Sequence, residues 1–133
     1  MTTNVDRTRE FYELLLTDFN AATEKYVAEE FVWENPLPDI IPFGGIYERK
    51  AGLGRYLQEI SEALTMSPLN FTDMIADGPL VAAVGIEENT LVKSTGKHYT
   101  MPFVHVLRFT DEGQVIHLRE YNDIREMIVA FGG

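Results

Sequence analysis

The residue pattern predicts an α+β domain, a curved antiparallel sheet wrapped around helices that come early in the chain. Three observations carry this. Helical spacing of apolar residues dominates the first half of the sequence. Strand-like segments follow one another through short glycine-containing turns in the second half, the signature of an antiparallel meander. The 133 residues hold no repeat, low-complexity tract or linker, which fits one domain, residues 1–133, with one core.

The elements follow in order. Residues 4–16, NVDRTREFYELLL, bring Val5, Phe11, Tyr12, Leu15 and Leu16 to one side at helical spacing. Residues 20–31, NAATEKYVAEEF, predict a second short helix, with Asp18 or Asn20 as its cap. FVWEN at 31–35 reads as a short strand stopped by Pro36 and Pro38. A proline- and glycine-rich loop follows at 36–45. Leu53, Tyr56, Leu57, Ile60 and Leu64 then mark an amphipathic helix over 49–64, which Ser67-Pro68 ends. Strands are expected over 69–76, 80–92, 98–109 and 114–123, and a helical turn over 124–131. Helices gathered at the front must cover one face of the sheet. A sheet closing on helices leaves a cavity at one end, a common ligand site.

Composition narrows the function. Eleven basic against 21 acidic residues give a net charge of −10. That repels nucleic acid and anionic membrane surfaces, so neither is an expected partner. There is no cysteine, hence no disulfide, thiolate nucleophile or cysteine-based zinc site. The polar start MTTNVDRTRE lacks the apolar core of a signal peptide, and no apolar run is long enough to span a bilayer. A soluble, cytoplasmic protein is expected. No HxH or HExxH occurs, so no metal centre is expected. Phosphate-loop, dinucleotide and GxSxG signatures are missing too.

The last hairpin holds the densest chemistry. A three-residue loop, Asp111-Glu112-Gly113, puts Gly113 in the left-handed position and pairs Thr110 with Gln114. That register sets His105 opposite Arg119, Phe103 opposite Tyr121, and Met101 opposite Asp123. Period two then puts His117, Arg119, Tyr121 and Asp123 on one face. Histidine's ordinary pKa of ~6.5 suits proton transfer near neutrality. Asp123 admits two roles. With Glu126 three residues on, it resembles a helix capping box. In an apolar pocket it would be an acid–base carboxyl. The preceding strand is apolar on both faces, which suggests that the outer side of the sheet also packs, as in a homodimer.

FVWENP, PFGGIYERKAGL and HVLRFTDEGQVIHLREYND together resemble the nuclear-transport-factor-2-like superfamily, within it the SnoaL-like and ketosteroid-isomerase-like groups. The resemblance implies a cone-shaped α+β barrel with a deep apolar pocket, usually dimeric and without a cofactor. Ketosteroid isomerases keep an aspartate base where this chain has Asn35, and a hydrogen-bonding aspartic acid where it has His105. Their oxyanion-hole tyrosine falls at Phe11, next to Tyr12. TGKHYTMP and LREYNDIRE resemble limonene epoxide hydrolases, whose base carries over to Asp123 and whose water-holding asparagine to Asn35. Trp33 stands where those enzymes have a tyrosine. Their Arg-x-Asp pair falls near VGIEE, where Glu87 or Glu88 could supply the acid. SnoaL-like cyclases keep an aspartate that matches Asp123.

The expected site therefore comprises Asp123, His105 and Asn35 as catalytic groups. Tyr12, Trp33, Met101, Phe103, Tyr121, Arg119 and Glu87 would hold an apolar, carbonyl-bearing ligand. The expected chemistry is cyclisation, isomerisation or dehydration. Epoxide hydrolysis is the first alternative, and a non-catalytic ligand-binding or dimerisation module the second.

Overall fold

The computed structural model describes residues 2–133. Helix α1 (Asn4–Thr17) starts at a capping box: Thr3 Oγ1 accepts from the Asp6 amide and the Asp6 carboxylate accepts from the Thr3 amide, each at 3.1 Å. It buries Thr8, Phe11, Tyr12 and Leu15, one stripe at helical spacing. Asp18 closes α1 and caps α2 (Phe19–Tyr26), accepting from the Ala21 amide at 3.1 Å. The helix expected over 20–31 thus stops early. From Val27 the chain is already strand β1 (Val27–Asn35). The reason is tertiary: Phe31, Trp33 and Asn35 are buried at period two, and the strand pairs with the last strand of the chain.

Between the expected loop and the expected third helix lies a further short strand. β2 (Gly45–Glu48) pairs antiparallel with β1 and buries Tyr47 alone, too short a signal for periodicity to reveal. The remaining elements are α3 (Arg49–Ala63), β3 (Leu64–Thr65), β4 (Asn70–Asp77), β5 (Leu80–Val92), β6 (His98–Phe109), β7 (Val115–Asn122) and α4 (Arg125–Ala130). The strand order is β2-β1-β7-β6-β5-β3, with β4 also on β5. One pairing, β1 with β7, is parallel, against the wholly antiparallel expectation. The fold is nonetheless the predicted one, a curled sheet and helices enclosing one aromatic-rich core.

The decisive departure lies in the last hairpin. Its tip is as expected: Gly113 has φ +79°, and the Thr110 amide donates to the Gln114 carbonyl at 2.7 Å. Phe109 pairs with Val115, but Arg108 pairs with His117, so Ile116 is an extra residue, a β-bulge. Every pairing beyond it moves by one. His105 faces Glu120, Phe103 faces Asn122, and Val104, rather than Phe103, faces Tyr121. Pro102, rather than Met101, lies beside Asp123, whose amide donates to the Pro102 carbonyl at 3.0 Å. A one-residue slip turns each side chain to the other face. Leu118 and Glu120 point inward and are buried. His117, Arg119 and Tyr121 point outward. Among the described residues no helix is long and apolar enough to cross a membrane.

Candidate active site

The inward row of β6 reads Tyr99, Met101, Phe103 and His105, all buried. Beside it β7 contributes Glu120, β1 contributes Trp33 and Asn35, α1 contributes Tyr12, and α3 contributes Tyr56. These residues wall a cavity of about 920 Å³, closed elsewhere by apolar side chains including Leu57, Ile60, Phe71 and Met74. The volume lies within the range of small-molecule sites.

A polar line runs along the wall. Tyr12 Oη and His105 Nδ1 are 2.6 Å apart, and His105 Nε2 lies 3.3 Å from Glu120 Oε1. Glu120 Oε2 accepts from Trp33 Nε1 at 2.7 Å and from the Tyr56 hydroxyl. Asn122 Nδ2 donates to Glu120 Oε1 at 3.3 Å. Asn35 braces the group, donating to Tyr56 Oη at 2.8 Å and accepting from Asn122 at 3.1 Å. Burial pushes the Glu120 carboxyl up. The His105 charge and the bonds from His105, Tyr56 and Trp33 outweigh it and hold the group below the usual 4.5. Glu120 is therefore a fixed anion. Burial, reinforced by the Glu120 charge, raises Tyr12 and Tyr56 well above 10.0, so both remain phenols that can donate.

The carboxylate accepts from Nε2, which leaves Nδ1 for the hydroxyl. With a neutral ring, Tyr12 donates to Nδ1. With a protonated ring, Nδ1–H donates to Tyr12 and frees the phenol to donate into the cavity. The line can therefore hold or release one proton at Tyr12 Oη. The rings of Phe103 (4.6 Å between centroids) and Trp33 (6.0 Å) flank the imidazole, so it sits in an apolar setting.

Of the expected site residues, His105, Asn35, Tyr12, Trp33, Met101, Phe103 and Glu87 line this cavity. Of the two glutamates, Glu87 is buried and faces the cavity, while Glu88 is exposed. Asp123, Tyr121 and Arg119 do not line it. Asp123 follows the end of β7, its side chain 37% exposed, bound by Arg125 Nε at 2.9 Å and Nη2 at 2.6 Å. Those bonds hold its carboxyl below the usual value. Nor is Asp123 the N-cap of α4, which is Ile124. Tyr121 is exposed, and Arg119 pairs with Glu34 on the outer face at 3.0 Å. The bulge accounts for this displacement.

Glu120 and Tyr56 are the residues that sequence reasoning missed. Val115 and Leu118, three residues apart, are both buried, which strict alternation forbids without an irregularity between them; the sequence alone does not show it, because Ile116 and Leu118 alternate regularly. Tyr56 read as one more member of an apolar helical stripe.

None of the curated proteins matches the chain. Solved structures share its fold. An NTF2-like protein from Burkholderia xenovorans LB400 is 25% identical with a TM-score of 0.84, covering 97% of this chain and 95% of its own. TerC, co-crystallised with polyporic acid, is 20% identical with a TM-score of 0.82 and 98% coverage of both chains. A Mesorhizobium loti protein proposed to be a SnoaL-like polyketide cyclase is 21% identical with a TM-score of 0.72, covering 90% of this chain and 99% of its own. The SnoaL-like domain pattern matches residues 8–118, and the chain belongs to that family.

Proposed function

We propose that the protein is an acid–base enzyme acting on an apolar, carbonyl-bearing small molecule, of the isomerase, cyclase or dehydratase type. The observation that carries this is the buried hydroxyl–imidazole–carboxylate line of Tyr12, His105 and Glu120 at the wall of an apolar cavity. Each of these reactions moves a proton between carbon and oxygen beside a carbonyl. Tyr12 meets the ligand. It gives its proton to Nδ1 as its oxygen takes one from the ligand, and it returns a proton to the product as Nδ1–H replaces it. Glu120 stays ionised and fixes the ring, the role a carboxylate plays in hydroxyl–imidazole–carboxylate triads. Family membership and the neighbour proposed to be a polyketide cyclase agree with this class of chemistry.

The epoxide-opening arrangement gains no support. Asp123 lies outside the cavity, and both ends of the Asn35 amide are engaged by Tyr56 and Asn122.

The test uses a rigid tetracyclic ketone, estrone, in deuterated water, following exchange of the protons beside its ketone. The wild type accelerates exchange. Tyr12→Phe and His105→Gln each lower the rate by about 10²–10⁴ while affinity stays within a few-fold. Exchange at the solution rate with wild type, or at full rate with His105→Gln, overturns the reading.

A further inference from the structure

At the other end of the inward row of β6, beyond Met101 and Phe103, lies a second polar group that the proton line does not use. Tyr99 is 1% exposed, and among the described residues its hydroxyl has no hydrogen-bond partner. It lies close enough to Glu87 and Thr90 to feel both electrostatically, but neither contact meets the geometry of a hydrogen bond. Glu87 is 5% exposed, and its one hydrogen bond among the described residues comes from Thr90 Oγ1 to Oε2 at 2.8 Å. Tyr99 and Glu87 both line the cavity. A buried phenol with no acceptor costs about 1–3 kcal/mol, so such groups call for an explanation.

The backbone is shaped to bring these groups together. Glu87 and Thr90 are three residues apart, so a regular strand would turn them to opposite faces. Glu87 pairs with Met101 but Thr90 pairs with Tyr99, which leaves three steps on β5 against two on β6. This second bulge turns both side chains inward. It places Asn89 in the left-handed region at φ +50°, a conformation that non-glycine residues adopt mainly where surroundings enforce it. The Asn89 amide is held by Thr100 Oγ1 at 3.2 Å.

We propose that Glu87, Thr90 and Tyr99 form a subsite that receives a hydroxyl group of the ligand, remote from the carbonyl that meets Tyr12. A hydroxyl is the group that satisfies both partners at once: it accepts from the Tyr99 phenol and donates to Glu87 Oε1. An ether or ketone leaves Glu87 without a donor, and a hydrocarbon leaves both unpaired. The ligand is then an apolar body with an oxygen function near each end. This deepens the catalytic reading, on which it rests for the position of the carbonyl.

The test is binding, which needs no turnover. Trp33, the single tryptophan of the chain, lines the cavity, so its emission reports occupancy. Estrone carries a phenolic hydroxyl at the end far from its ketone. Its deoxy analogue, lacking that hydroxyl, is the comparison. The wild type binds estrone at least about tenfold more tightly than the deoxy compound. Tyr99→Phe and Glu87→Leu each reduce the preference to under about threefold, chiefly by weakening estrone, with the deoxy compound little changed. Equal affinity of the two compounds for the wild type, no binding of either, or a preference that survives in both variants overturns the assignment. Proton exchange in the same samples judges the catalytic line separately: exchange without a hydroxyl preference removes only the subsite, and a hydroxyl preference without exchange removes only the chemistry.

Discussion

Glu120 and Asp123 are carboxylates three residues apart with opposite surroundings. Glu120 is buried and accepts from His105, Trp33, Tyr56 and Asn122, whereas Asp123 is held at the surface by Arg125. Glu120→Gln leaves an imidazole and several donors facing a neutral amide. It should cost about 3 kcal/mol in chemical denaturation and abolish proton exchange on the ketone. Asp123→Asn should leave the exchange rate unchanged. Glu87 makes a pH prediction of the opposite sign from Glu120. Burial raises its carboxyl above the usual 4.5, against the opposing influence of the Tyr99 and Thr90 hydroxyls. A raised value in the folded state means stability that is full below 4.5 and lost as pH rises through the folded value. Glu120, lowered, contributes stability that is present above 4.5 and lost as pH falls through its folded value. Glu87→Gln should therefore raise the Tm above neutrality and leave it unchanged in acid, measured by scanning calorimetry across pH. The places of His105, Tyr12 and Asn35 on the cavity wall were legible. Asp123 stands out in the sequence and Glu120 does not, because residue type and proximity to a helix cannot report which side of a strand faces the core.

Which carboxylate faces the core is decided by an element, not a residue. The tip of the β6–β7 hairpin was readable, because Gly113 supplies the left-handed position its loop requires. The bulge at Ile116 was not, because its residue types are ordinary strand formers and the extra residue shows only when two strands are paired. The same limit hid the bulge between Glu87 and Thr90 and the strand β2. The early end of α2 was hidden because helix and strand compete over NAATEKYVAEEF, and pairing with β7 decides between them. Paired substitutions test the register directly. Leu118 is fully buried and Tyr121 is half-exposed on the opposite face. Leu118→Ala should cost about 2–4 kcal/mol, whereas Tyr121→Ala should change stability by about 1 kcal/mol or less. The uncorrected register demands the reverse order, with Tyr121 the costly position.

At the scale of the molecule, the fold class was legible because two periodicities divide the chain, helical spacing before Pro68 and alternation after it. What the two halves enclose is a cavity with mostly apolar walls and two polar groups, the Tyr12–His105–Glu120 line and the Glu87–Thr90–Tyr99 cluster. On the proposed function, the walls and the Glu87–Tyr99 end would supply affinity, while the line from Tyr12 to Glu120 would supply the proton. A neutral ligand should therefore stabilise the protein whether or not the line is intact. At a hundredfold excess over its Kd a ligand adds about 2.7 kcal/mol to the folded state, a rise in Tm of about 10 °C for a chain of this size. Estrone at that excess should give this rise in the wild type and in His105→Gln alike, although the variant no longer exchanges protons. A rise confined to the wild type would mean that the imidazole holds the ligand as well as moving its proton, and His105 would then be a binding residue before it is a catalytic one.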